Sequence, residues 1–296
     1  MKKEILNLET VHQCNCCLGN RTLHPLVSVI DLPKTGLTQQ TVCFDFYTIL
    51  LLETLSENIL FGRKYYDYSN ATVVFLTPGQ SIELNEVPSL QGRLLAFHPD
   101  LLCSTPLEKH IGSYTFFYYS PNEALHLSLR EKNKTLECLY CIEQELCHAI
   151  DCHSKTLIIR YIELLLDYCT RFYDRQFITR NEENQWILKK VDILLNDYID
   201  SGQLHDGSLP SADYCAHLLK ISPHYFSDLL KFETGKNLYE YFQLKRLETA
   251  KRMLSDKNNK VSQVVEKLGY PNIQYFSRLF KKITGIAPAE YHLTLN

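Results

Sequence analysis

Short apolar runs separated by turn residues fill the region from Val42 to about Phe97. Two of these runs, 42–47 and 71–76, are rich in Val, Phe, Thr and Tyr, the residues that favour strands. Turn residues interrupt the region at 57–58, 62–63, 69–70, 78–79, 88–89 and 92. Spacing of this kind is typical of antiparallel hairpins, so we expect a small β-barrel.

The hydrophobic pattern changes to a helical period after the strand region. Apolar residues at three- and four-residue spacing predict one helix over 136–146 and a second over 157–172. The polar stretch 174–184 loses this period. We therefore place a domain boundary there, with one domain over 1–180 and another over 185–296.

One pattern of short helix, tight turn and capped helix occurs twice in the C-terminal part, over 215–231 and over 264–281. Ser222 followed by Pro223, and later Asn272, are typical N-caps, and a glycine follows each second helix. A short helix, a tight turn and a second helix define the helix-turn-helix, whose second helix can enter a major groove. Between the two copies, the apolar positions of 238–254 predict a spacer helix.

Four ordered motifs run through this region: Arg246-Leu247-x-x-Ala250-x-x-x-Leu254, Leu268-Gly269-Tyr270, Tyr275-Phe276-x-Arg278-x-Phe280-Lys281 and Gly285-x-x-Pro288-x-x-Tyr291. Together with the repeated pattern they closely resemble the DNA-binding domain of the AraC/XylS family of transcriptional regulators. The resemblance implies two helix-turn-helix units joined by the spacer, each with a recognition helix on one face of the DNA. It also implies an N-terminal cupin-like barrel that senses an effector and dimerises. The expected fold class is therefore α+β in two domains, a cupin-like β-barrel with following helices and an all-α C-terminal domain.

Helical spacing divides each expected recognition helix into a core face and an outward face. The apolar positions expected in the core are Tyr225, Phe226, Leu229 and Leu230 in the first helix, and Tyr275, Phe276, Leu279 and Phe280 in the second. The outward positions expected to read bases are His224, Ser227 and Asp228, then Ile273, Gln274, Ser277 and Arg278. Lys231, Lys281 and Lys282 stand at the helix ends and suit phosphate contacts.

Gln274 and Arg278 lie one helical turn apart, and their side chains can bond adenine and guanine edges respectively. Asp228 either accepts a hydrogen bond from cytosine or pairs with a nearby lysine. Arg246 either contacts a phosphate or serves a structural role, with a buried stem and a carboxylate partner in its own domain. Lys220 replaces the small residue that is usual at the turn of such a unit.

Charge separates the two parts of the chain. Its formal net charge is −3, but 1–184 carries −6 and 185–296 carries +3. The basic excess therefore lies with the predicted DNA-binding residues.

An enzymatic cupin would need several metal ligands that converge in the barrel, commonly a His-x-His pair. The strand region has no such pair, and His98 stands alone as a packed or rim residue. We therefore expect no enzyme activity and no cofactor. A pocket for an organic effector would instead be lined by aromatic residues of the strands. The candidates are Phe44, Phe46, Tyr47, Tyr65 and Tyr66.

The eleven cysteines are the main competing signal. The first group, Cys14, Cys16 and Cys17, has His12 beside it, and the second group is Cys138, Cys141, Cys147 and Cys152. A thiol- or metal-responsive regulator therefore stays open as an alternative, although the spacing does not bring either set together as a zinc site. A DNA-repair alkyltransferase is less favoured, because no activated Cys-His pair stands in the strand region. We read the cysteines as reduced thiols.

The sequence thus predicts a cytoplasmic, sequence-specific transcriptional regulator, since it contains neither a signal core nor a membrane-spanning run. Its expected partners are double-stranded promoter DNA, a small-molecule effector, a second copy of the chain and RNA polymerase.

Overall fold

The computed structural model describes residues 5–32, 41–53, 61–83, 91–206, 208–256 and 259–294. The chain divides into two compact units, Met1–Asn181 and Glu182–Asn296. Within the described residues, no helix is long and apolar enough to cross a membrane.

The N-terminal unit is built from eight described strands and the helices that follow them. The strands are β1 (Ile5–Leu8), β2 (Val27–Leu32), β3 (Thr41–Phe44), β4 (Tyr47–Leu52), β5 (Ala71–Leu76), β6 (Gln80–Glu83), β7 (Gly92–Phe97) and β8 (Leu125–Leu127). Its helices are α1 (Val11–Cys17), α2 (Pro99–Leu102), α3 (Pro106–His110), α4 (Leu129–Cys147) and α5 (Ser154–Thr179). The order is β-rich and then helical, as the hydrophobic pattern predicts.

The strands form two sheets that share one core. One sheet has the order β1-β3-β6, with β1 and β3 parallel, and the other has the antiparallel order β2-β7-β4-β5-β8. Leu50 pairs with Val74 on one side and Leu94 on the other, and all three side chains join the core cluster shared with the first sheet. The alternate residues of these strands are also buried. Burial on both faces explains why strands such as β5 are apolar at every position except Thr72 instead of alternating.

Several local expectations for this unit need correction. Strands and a capped helix precede Val42, because Thr10 caps α1 and Leu8 and Val11 join the core. The run 42–47 is two strands with a turn at Asp45 and Phe46. Gly92 is the first residue of β7 and does not form a turn. Glycine is required there because a Cβ would lie 1.9 Å from the carbonyl oxygen of Leu51 in the paired strand β4. The turn positions 57–58 and 88–89 fall outside the described residues.

Both predicted helices after the strands are present, as α4 and α5, and both are longer than the pattern indicated. The polar stretch 174–184 is helical on both sides of Arg180. Arg180 closes α5 and donates to Asp67 from Nη2 at 2.6 Å and Nε at 3.1 Å, with both side chains buried. Losing one partner of such a pair leaves an uncompensated buried charge, so this pair anchors the end of α5 to the loop of Asp67.

The C-terminal unit is helical. Its helices are α6 (Asn181–Asp200), α7 (Ala212–Leu219), α8 (Pro223–Thr234), α9 (Leu238–Leu254), α10 (Val261–Lys267), α11 (Ile273–Thr284) and α12 (Pro288–Thr294). The predicted spacer helix over 238–254 is confirmed as α9. The longest helix of this unit is α6, with 20 residues, and it precedes the repeated pattern.

Candidate nucleic-acid interface

The first helix pair, α7 and α8, is joined by a turn of three residues, Lys220–Ser222. Lys220 has a left-handed backbone with φ 58°, and the Ile221 N–H donates to the Ala216 carbonyl at 3.1 Å. Ser222 Oγ accepts from the Tyr225 N–H at 3.3 Å and thereby caps α8. The turn is tight even though a lysine occupies the left-handed position.

The second helix pair, α10 and α11, closes in the same way around a longer turn, Leu268–Asn272. The Tyr270 N–H donates to the Val265 carbonyl at 3.0 Å, and Gly269 takes the left-handed position with φ 64°. Asn272 Oδ1 accepts from the Tyr275 N–H at 2.7 Å and caps α11. The two pairs therefore share one local design, with Lys220 and Gly269 at equivalent positions.

Arg246 of α9 secures the turn of the second pair. Its guanidinium lies 4.0 Å from the centre of the Tyr270 ring, and its Nε donates to the Leu268 carbonyl at 3.1 Å. The side chain is buried, and the further partner of the guanidinium is the Gln243 amide oxygen at 3.3 Å. Arg246 therefore has the structural role that was one of its two predicted roles. The expected carboxylate partner is not the observed one, since the side chain binds a backbone carbonyl and an aromatic ring. With only 4% of its surface exposed and its donors already used, Arg246 is poorly placed for a phosphate contact.

The buried faces of α8 and α11 agree with helical spacing except at one position. Tyr225, Phe226, Leu229 and Leu230 are buried, and so are Phe276 and Phe280, whose rings lie 5.4 Å apart. Leu279 is half-buried. Tyr275 is 40% exposed, so its expected place in the core is wrong. It lies three residues after the N-cap Asn272, on the first turn of α11, and its ring centre is 6.5 Å from that of Tyr270.

The side chains expected to read bases lie on the outer surface of the two helices. Ile273, Gln274 and Arg278 of α11 are exposed and Ser277 is half-buried, while in α8 His224 and Ser227 are exposed and Asp228 is half-buried. Arg278 donates from Nε to the backbone carbonyl of Gln274 at 3.4 Å, and the four-residue spacing in the helix puts both residues on one face. Ser227 Oγ donates to the Pro223 carbonyl of its own helix at 2.8 Å. The outer face of α11 therefore offers amide and guanidinium groups, and that of α8 offers imidazole, hydroxyl and carboxylate groups.

Three lysines mark the last turns of these helices. Lys231 lies in the last turn of α8, and Lys281 and Lys282 lie in the last turn of α11. All three are exposed, as a phosphate contact requires. A cation here also interacts favourably with the helix C-terminus, so the position stabilises the helix without DNA as well.

The aromatic residues expected around an effector lie in three separate environments of the N-terminal unit. Phe44 and Phe46 are fully buried in the shared core, 5.6 Å apart between ring centres. Tyr47 is half-buried and stacks at 5.1 Å on a phenylalanine of β7. Tyr65 is 94% exposed and touches the half-buried Tyr66. Phe46, Tyr65 and Tyr66 lie in turns, so their expected placement on strands is wrong.

The cysteines are free thiols in contrasting environments. Cys14 is buried in the core, and this burial raises the pKa of its thiol to about 12, with a smaller contribution from Cys17. Cys16 Sγ lies 3.6 Å from His12 Nε2 on the exposed side of α1. Within the described part of the chain, no group of three or more His, Cys, Asp or Glu side chains is placed to hold a metal ion.

His98 is a helix cap. Its Nδ1 accepts a hydrogen bond from the Asp100 N–H at 3.2 Å at the start of α2. The half-buried ring thus has a local structural role, of the kind expected for a rim residue.

Comparison with known proteins places the C-terminal unit in a class. Residues 215–293 match the family described as a helix-turn-helix domain. Over 80 residues the chain is 44% identical to the uncharacterized HTH-type transcriptional regulator YobQ of Bacillus subtilis, covering 27% of this chain and 33% of that protein. The HTH-type transcriptional activator RhaR of Mannheimia succiniciproducens is 22% identical over 83% of this chain and 84% of its own length. The arabinose operon regulatory protein of Escherichia coli is 31% identical over 31% of each chain.

The class is thus that of the helix-turn-helix DNA-binding proteins. Within it, the C-terminal domain of this chain is of the AraC type, as its motifs indicate. These three relatives are named as regulators and not as enzymes, in agreement with the expectation that the chain is not an enzyme. The chain spans a third or less of the length of several curated relatives that it matches.

Proposed function

We propose that this protein is a sequence-specific, DNA-binding regulator of transcription in which α8 and α11 are the recognition helices of two helix-turn-helix units. The observation that carries the proposal is the repeated design of the two helix pairs within the matched residues 215–293. Each pair buries the apolar face of its second helix and exposes a polar face long enough to lie in a major groove. The basic excess of 185–296 supplies the attraction to phosphate.

We assign the main reading of bases to Gln274 and Arg278. Both are exposed on one face of α11, and the contact of Arg278 with its own helix uses Nε alone. Its two terminal nitrogens match the O6 and N7 acceptors of guanine, and the Gln274 amide matches the N6 and N7 groups of adenine. Ile273 and Ser277 flank this pair and contribute to the same groove surface.

The first unit reads DNA through a different chemistry. His224, Ser227 and Asp228 present few cationic donors, and Ser227 Oγ must leave the Pro223 carbonyl before it can donate to a base. We therefore assign to α8 a smaller share of the sequence discrimination, with Lys231 as its phosphate contact.

For the N-terminal unit we propose a cupin-like barrel that controls DNA binding through a small-molecule effector. The two sheets around one core are the feature that supports a barrel. Tyr140, Leu157 and Leu164 are each 40–55% exposed on α4 and α5, and they favour pairing with a second copy of the chain. RNA polymerase is the further partner that control of transcription requires.

The test separates base reading from phosphate contact in the full-length chain. A preferred duplex is selected from random DNA, and affinities for it and for scrambled DNA are measured across a salt series. Arg278→Ala or Gln274→Ala is expected to cost about 1–3 kcal/mol on the preferred duplex and less on scrambled DNA. Lys281→Ala is expected to weaken both duplexes equally and to lower the salt slope by about one unit.

Arg21→Ala is the matched control, because Arg21 is an exposed arginine of the N-terminal unit. It should leave both affinities unchanged. Equal losses on both duplexes for Arg278→Ala would make Arg278 a phosphate contact. A folded wild-type chain that selects no duplex would refute the proposed function itself.

A further inference from the structure

A cavity of about 370 Å³ lies between α4 and α5 of the N-terminal unit. Four cationic side chains line it, Arg130 and Lys134 from α4, and Arg171 and Arg175 from α5. Among the described residues, the lining has one carboxylate, that of Glu131. The cavity is therefore strongly positive, although the N-terminal part of the chain is acidic overall.

Two of the four cations have no anionic partner among the described residues. Arg175 is neutralised by Glu131, to which it donates from Nε at 3.0 Å and from Nη2 at 2.9 Å. Lys134 pairs with Glu137 on its own helix. In the described chain, none of the ion pairs includes Arg130 or Arg171.

Arg175 also carries an unused donor group. Its Nη2 bonds the His126 carbonyl at 2.7 Å in addition to Glu131, but its Nη1 is shielded from solvent and has no hydrogen-bond partner in the described structure. A buried donor without an acceptor costs about 1–3 kcal/mol. The Arg175 guanidinium also lies 4.9 Å from the centre of the Tyr68 ring, so this arginine is held by its neighbours and forms a fixed part of the cavity wall.

Two aromatic residues of α5 also line the cavity. Phe172 is buried and Tyr168 is half-buried, and their rings stack with centres 6.0 Å apart. Lys134 Nζ lies 5.7 Å from the centre of the Tyr168 ring, at the border between the charged and apolar parts. The lining therefore offers a charged end and a flat apolar surface to one occupant.

We infer that this cavity binds a small organic anion that joins a carboxylate or phosphate group to a planar apolar body. The volume falls within the range of about 300–1,000 Å³ that is usual for small-molecule sites. Guanidinium groups match carboxylate and phosphate oxygens in a two-point geometry, and Arg130 and Arg171 are available for that contact. The apolar body stacks on Phe172 and Tyr168. The further step, that this anion is the effector, rests on the proposed function.

Calorimetric titration of the full-length chain tests the site directly. The probes are benzoate and phenyl phosphate, with neutral benzamide and inorganic phosphate as comparisons. We expect at least one aromatic anion to bind, and Arg171→Gln to weaken it at least tenfold. Arg130→Gln should act in the same direction, whereas Arg21→Gln, an equal loss of charge at an exposed site, should not. Thermal unfolding of each variant verifies that it is folded.

Each alternative result overturns the inference. Absence of binding by both aromatic anions, unchanged affinity in Arg171→Gln and Arg130→Gln, or equal binding of benzamide would refute the anion site. Inorganic phosphate binding as tightly as phenyl phosphate would refute the apolar half of the site. A loss of DNA affinity in ligand-free Arg171→Gln would assign these cations to DNA.

The effector step has a separate measurement. DNA affinity with and without the bound aromatic anion should differ at least threefold, and this difference should vanish in Arg171→Gln. An anion that binds without changing DNA affinity would refute the effector role. Failure to bind DNA both with and without the bound anion would refute the proposed function and leave the anion site standing on its own titration.

Discussion

Gly269 and Lys220 occupy equivalent left-handed positions, so opposite substitutions at the two should have opposite effects on stability. An added Cβ at Gly269 would lie 2.3 Å from the Leu204 carbonyl oxygen, more than 1 Å inside ordinary van der Waals contact. The φ of 64° adds a backbone penalty of about 1 kcal/mol for any residue with a side chain. With about 1–3 kcal/mol for the displaced neighbour, Gly269→Ala should cost about 2–4 kcal/mol.

Lys220→Gly should instead stabilise the C-terminal unit. Lys220 already pays the left-handed penalty of about 1–2 kcal/mol, and glycine removes it. Glycine is also more flexible in the unfolded chain, and this lowers the free energy of unfolding by about 0.5–1 kcal/mol. The expected net gain is about 0.5–1 kcal/mol.

The single tryptophan makes the assay specific to this unit. Trp186 lies on α6 in the C-terminal unit, so its fluorescence during urea unfolding follows that unit within the full-length chain. DNA affinity should fall in Gly269→Ala, because Gly269 stands in the turn that sets the start of α11. A Gly269→Ala variant as stable as the wild type, or a Lys220→Gly variant that is less stable, would refute the reasoning from the two turns.

Three further results are expected. Burial lowers the pKa of His126 from 6.5 to about 4, so the unfolded chain binds a proton at a higher pH than the folded chain does. The free energy of unfolding of the N-terminal unit should therefore fall as the pH decreases from 6.5 toward 4. A His126→Gln variant, followed by circular dichroism, should lose this part of the pH dependence. The double variant Cys16→Ser, Cys17→Ser should leave stability and DNA binding unchanged, because both thiols are exposed. Cys14→Ser should lower the melting temperature, because it places a hydroxyl in the core. Stoichiometric zinc in the wild type that is lost in the double variant would contradict the expectation for Cys16 and Cys17. Residues 182–296 expressed alone should fold and bind DNA with a steep salt dependence, and a fragment that folds without salt-sensitive binding would contradict the domain assignment.

Features set by nearby residues could be predicted from the sequence. The limits of α9, the caps at Ser222 and Asn272 and the strand over 71–76 all follow from side chains within a few positions. Capping and hydrophobic periodicity act over one or two turns, so a single sequence carries the whole signal.

Exposure at the ends of elements was less predictable. Tyr275 has the spacing of a core residue but lies on the first turn of α11, where the neighbouring helices do not cover it. The same limit applies to the aromatic residues of the strands, since alternation cannot identify which face a second layer will bury. In this unit both faces of the larger sheet are buried, so the environment of Tyr47 could not be assigned from the pattern.

Only the tertiary structure decided which distant residues meet. Arg246 finds the Leu268 carbonyl 22 positions away, and the cavity joins Arg130 of α4 to Arg171 of α5 across an intervening turn. Neither pairing has a local signal, because a cation is compatible with an exposed helix surface wherever it stands. The sequence alone therefore determined the helices and the polar face of α11, while packing of α4 on α5 and of α9 on the α10–α11 turn decided where their arginines act.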